Sequence, residues 1–168
     1  LRINSSNHLQ LPKYNGKIIK KGILFCPITM PYIGDFLSLN NFRLLMDVHK
    51  KAVNLFNDAV KNGKTIKVRY KDFNYLRGHA GQFVSEETRL PVEIDNFENI
   101  YQNYSMVVTI PQGSISEVCR INNIPFISYF HPIYPTDRNR YKSLCNNQNI
   151  FSEETLFLNE LKKIIDSL

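Results

Sequence analysis

The stretch "TIPQGSISEVCRINNIPF", residues 109–126, decides how the chain is read. An apolar strand runs into a Gly-Ser-x-Ser turn, the turn opens a helix, and Pro125 leads into a second apolar strand. Two strands joined by a helix of this length form a parallel crossover. The turn between strand and helix has two uses. It can cap the helix, or its free N–H groups and the positive end of the helix dipole can hold an anion.

Outward from this unit, the pattern repeats. "KGILFCPIT" (21–29) is a continuous apolar run of the kind buried on both faces of a parallel sheet. Pro31 and Gly34 then impose a loop. Between Asn41 and Lys61, Phe42, Leu45, Met46, His49, Val53, Phe56 and Val60 recur at helical spacing, and Asn62-Gly63 is a C-terminal stop. "TIKVRYK" (65–71) alternates and is β-branched, as a strand should be.

Residues 72–90 are polar, contain two glycines and predict a long loop. "PVEID" (91–95) predicts a short strand, and 96–104 a short helix capped by Asp95 or Asn96. Strands follow at 105–110 and 125–130, separated by a helix over 114–122. A short helix near 137–147 and an amphipathic helix near 152–166 complete the chain, the last opening on Ser152 and acidic first-turn residues.

Strands alternating with helices specify an α/β fold, a Rossmann-like three-layer sandwich. About five parallel strands are expected in the order 3-2-1-4-5, with helices on both faces. Residues 1–20 are polar and aperiodic, and read as a linker or the end of a preceding element. Residues 21–168 read as a single domain.

The composition narrows the function. The chain has 168 residues, 43% hydrophobic and 21% charged, which suits one folded domain. No apolar run approaches the ~18 residues of a membrane helix. Cys26, Cys119 and Cys145 have no metal-binding spacing and read as reduced thiols, the first two inside the core. His8, His49, His79 and His131 are scattered, and neither an HExxH nor an Asp-x-Asp pattern is present, so no metal is expected. The net charge of +6 favours anionic partners. The basic residues are dispersed apart from "KIIKKG" (17–22), and no aromatic platform for stacking bases accompanies them, so nucleic acid is not the expected partner.

In open α/β sheets, ligands bind beyond the carboxyl ends of the strands where the strand order reverses. For the expected order, the loops 29–36 and 109–116 converge there. Gly113 permits close backbone approach; Ser114 and Ser116 can cap the helix or donate hydroxyls; Glu117 can complement the dipole or accept from a sugar hydroxyl. The turn is neither a P-loop nor a GxGxxG fingerprint.

The segment "MVVTIPQGSISEVCRINNIPFISYFHPIYPT" resembles the nucleotide-sugar-binding domain of GT-B glycosyltransferases, particularly those of bacterial surface-polysaccharide synthesis. The matching parts are the strand Val107–Ile110, the turn and helix start Gly113–Glu117, and Asn123-Ile124-Pro125-Phe126. Upstream, "KGILFCPIT", the following helix and "KTIKVRYKDF" resemble the first strand-helix-strand unit of that domain. The stretch "VRYKDF" departs from those relatives in having no histidine.

The resemblance implies donor binding by Gly113, Ser114, Ser116 and Glu117. Thr29, Tyr32 and Gly34 would border the cleft, Arg69 and Lys71 would offset diphosphate charge, and His131 would touch the base or sugar. It implies no cofactor beyond a UDP-, CMP- or GDP-linked sugar donor as substrate. It also implies an acceptor-binding domain preceding this chain, which begins with Leu rather than Met. The catalytic base would come from that domain, with Asp35 and His79 as fallback candidates in this chain. The resemblance places the parent enzyme in the cytoplasm, with the basic surface suited to the anionic inner face of the membrane. Two other readings stay open: a nucleotide-sugar epimerase, and a flavodoxin-like interaction module without a nucleotide.

Overall fold

The computed structural model describes residues 21–27, 39–70, 90–110, 113–130 and 147–168, with the side chains of the first helix described from Leu44 onward. Five parallel strands form one sheet: β1 (Ile23–Pro27), β2 (Ile66–Val68), β3 (Met106–Ile110), β4 (Phe126–Tyr129) and β5 (Ile150–Phe151). Their order is β2-β1-β3-β4-β5. The long central pairing joins β1 to β3, from Ile23 opposite Met106 to Pro27 opposite Ile110.

The strand expected over 91–95 is reduced to a single parallel bridge between Val92 and Val68 on the outer side of β2. Counting that bridge as the third strand position gives the order 3-2-1-4-5 expected from sequence, extended by β5. This is the doubly wound Rossmann order. The sequence offered no sign of β5, a two-residue strand too short to have a period.

Helix α1 (Leu39–Lys61) and helix α4 (Glu154–Asp166) cover one face of the sheet. Leu45, Val48, Ala52, Val53, Phe56 and Ala59 make the buried stripe of α1, and Phe157, Leu161 and Ile165 that of α4. They close over Phe25, Val108, Ile127 and Tyr129. Phe25, Phe56 and Phe157 are wholly buried, and each such ring stabilises by about 1.5–3 kcal/mol relative to an exposed one. An ion pair between Lys51 and Glu154 ties the two helices together.

The opposite face carries α2 (Phe97–Ile100), a 3₁₀ turn (Tyr101–Asn103) and α3 (Ser114–Ile121). Phe97, Ile100, Tyr101, Tyr104 and Cys119 pack there on Leu24, Cys26, Val107 and Phe126. Apolar layers on both sides explain why β1 is buried at every position. The helix expected over 96–104 therefore ends early and tightens into a 3₁₀ turn.

The helix ends follow local chemistry. After α1, Gly63 adopts φ +80°. Its N–H donates to the Val60 carbonyl at 3.0 Å, and that of Lys64 to the Ala59 carbonyl at 3.0 Å. This pair is a Schellman motif. The N-cap of helix α4 is Glu153 rather than Ser152, and its side chain makes no cap hydrogen bond.

Gly22, just before β1, also has positive φ (+89°), and a Cβ there would lie 2.1 Å from the Thr65 carbonyl oxygen. Gly63, by contrast, faces open space. Gly22→Ala is expected to lower stability by at least about 2 kcal/mol and Gly63→Ala by about 1 kcal/mol. Denaturant midpoints at constant m-value measure both, and equal losses would contradict the packing around Gly22.

His49 lies in the α1 stripe, 6% exposed, with its ring 5.5 Å from that of Phe25. Its Nε2 has no hydrogen-bond partner among the described residues. Burial lowers its pKa from 6.5 to about 4. The unfolded chain therefore takes up a proton between pH 6.5 and 4 that the folded chain refuses, and stability falls as the pH drops through that window. The full loss is on the order of 3 kcal/mol.

Glu93 contributes lower in pH. Burial pushes its carboxyl up, but hydrogen bonds from Tyr104 and Lys67 outweigh this and hold it below its ordinary 4.5. Stability measured against pH should decline from 6.5 in the wild type and stay flat to about 4.5 in His49→Leu. The same slope in both proteins would contradict the buried neutral imidazole.

Candidate functional site

The β1–β3 pair is the place where the chain direction across the sheet reverses. From β1 the chain crosses over α1 to β2 on one side; from β3 it crosses over α3 to β4 on the other. The carboxyl ends of β1 and β3 thus lead into different layers, the switch point at which open α/β sheets bind ligands. Helix α3 starts at this edge, four positions beyond the last residue of β3, Ile110.

Gly113 is the N-cap of α3. It has no side chain, so it offers no oxygen to the first-turn N–H groups of Ser114, Ile115 and Ser116. Its own backbone is held by Ser116. The Ser116 hydroxyl accepts from the Gly113 N–H at 3.1 Å and donates to the Gly113 carbonyl at 2.6 Å. Ser116 is 1% exposed, and its one hydroxyl proton is committed to this bond. Of the two uses open to Ser116 from sequence, the geometry is that of a cap. Ser114, one residue after the cap, is exposed.

Glu117 is half-buried in the first turn, where its negative charge complements the dipole. Both Nε and Nη2 of Arg120 approach its Oε2 at 3.0 Å. Arg120 therefore offsets the charge that Glu117 would otherwise place near an anion. The pair is at the surface and contributes only a few tenths of a kcal/mol to stability.

Arg69 follows the last residue of β2. Its N–H donates to the Phe25 carbonyl at 2.8 Å, which extends the β1–β2 ladder by one step. Its side-chain Nε donates to the Asp95 carbonyl at 3.0 Å. Its charge acts on Cys26, whose thiol burial pushes up to about 12 while Arg69 draws it down. Cys26 belongs to the face covered by α3, so Arg69 and the start of α3 serve the same face at the same sheet edge. The intervening strand is β1, and two strand spacings amount to about 10 Å.

Beneath this edge, Cys26 pairs with Thr109 across β1–β3, and Thr109 with Ser128 across β3–β4. The Thr109 and Ser128 hydroxyls meet at 2.7 Å and are fully buried. Neither was singled out in the sequence. They satisfy each other, which makes them a structural pair. The Cys119 thiol is also raised, chiefly by burial. Neither Cys26 nor Cys119 is a thiolate nucleophile near neutral pH.

The structure thus brings Gly113, Ser114, Ser116, Glu117 and Arg69 to one edge of the sheet. Thr29, Tyr32, Gly34, Asp35, Lys71, His79 and His131 lie outside the described residues, as does Cys145. Among the described residues, no three His, Cys, Asp or Glu side chains cluster as a metal would require. No helix among them is long and apolar enough to cross a membrane. A shallow groove beside α4, lined by Phe151, Leu156 and Lys163 among others, takes no part in the cluster.

No protein family, curated protein or solved structure matches the chain.

The two serines of the turn should separate cleanly by stability. Ser116→Ala removes both bonds to Gly113 and is expected to cost about 1–2 kcal/mol. Ser114→Ala at an exposed position should change stability by less than ~0.5 kcal/mol. Chemical denaturation of the two variants measures the difference, and the reverse ranking would contradict the cap geometry.

Proposed function

We propose that this chain is the donor-binding domain of a GT-B glycosyltransferase, holding a nucleotide-activated sugar for transfer in surface-polysaccharide or glycan synthesis. The observation that carries the reading is the start of α3. A glycine N-cap at the switch point leaves first-turn N–H groups without a cap oxygen, at the end of a helix that favours negative charge. The Rossmann strand order and Arg69 on the same face support it.

In this reading the diphosphate of the donor sits over Gly113 and accepts from the Ser114 and Ile115 amides. Ser116 acts indirectly by fixing the Gly113 peptide. The Arg69 guanidinium, steadied by the Asp95 carbonyl, faces the phosphate charge that grows as the glycosidic bond breaks. Glu117 accepts from a ribose or sugar hydroxyl. The acceptor and the group that deprotonates it belong to a second domain, so this chain alone binds nucleotide with little or no turnover. The reaction as proposed calls on no metal in this domain. The parent enzyme works in the cytoplasm, against the inner face of the membrane where its basic surface suits.

A second reading has its own observation. Without the Val92 bridge, the five-stranded ladder has the order 2-1-3-4-5, which is the flavodoxin-like arrangement. On that reading the domain is an interaction module, and the α3 turn is a helix cap alone.

Ser114→Glu distinguishes the two. A carboxylate in the first turn favours the helix by about 0.3–1 kcal/mol, while its charge repels a bound phosphate. Thermal unfolding of wild type and variant would be followed with UDP, UMP, CMP, GDP and ADP. A nucleotide at a hundred times its Kd adds about 2.7 kcal/mol. Selective stabilisation of the wild type by one nucleotide, lost in a variant that is itself at least as stable, is the expected result. The absence of stabilisation by every nucleotide would favour the interaction module.

A further inference from the structure

We draw no further inference here: the strongest candidate, the shallow groove that Phe151, Leu156, Asn159 and Lys163 line along the outer side of α4, is a partly apolar face that nothing among the described residues shows to be covered by any particular partner.

Discussion

The parallel pairing of β1 with β3 is the constraint on which the rest of this domain depends. Five consecutive residues of each strand face one another, and both strands are covered on both sides. Because β2 lies on the far side of β1 and β4 on the far side of β3, the chain leaves the pair in opposite directions. Parallel crossovers are right-handed. Opposite directions therefore require opposite faces: α1 packs on one, α3 on the other. The three layers and the switch point at the carboxyl edge both follow from that single pairing.

The start of α3 is held by Ser116 rather than by a side chain at the N-cap. A serine or aspartate at the N-cap would satisfy a first-turn amide; glycine gives this up at a cost of only about a few tenths of a kcal/mol. Ser116 recovers part of it from the far side, by fixing the Gly113 peptide through two hydrogen bonds. The same economy appears at Arg69, where one nitrogen anchors the side chain to Asp95 and the remaining donors are not needed for that anchor.

The sheet was legible because its central strands are unbroken apolar runs, and α1 because Leu45, Val53 and Phe56 keep helical spacing up to the Gly63 stop. The segment 91–95 was only half legible. Alternation is visible in Val92 and Ile94, but Ile94 is 69% exposed and pairing ends after one bridge. β5 gave no signal, since it forms only because Ile150 and Phe151 are laid beside Ser128 and Tyr129. At the site, the sequence identified the turn but left the tasks of its serines open, because the choice depends on which backbone groups Ser116 can reach.

One part of the resemblance has a purely structural explanation. Asn123 has φ +54°, and the Ile124 N–H closes the end of α3 on the Cys119 carbonyl at 2.9 Å. Glycine or asparagine is what that left-handed position favours. Asn123-Ile124-Pro125 therefore reports a helix-to-strand turn.

The most direct test of a ligand seat at the β1–β3 switch point is a map of backbone amide shifts by NMR as the chain is titrated with UDP, and with GDP and CMP in parallel. The account predicts that the largest changes fall on Gly113, Ser114 and Ile115, with smaller ones at Pro27's neighbour Cys26 and at Arg69. Saturable changes confined to the outer side of α4, or none at the start of α3 with any of the three nucleotides, would contradict it.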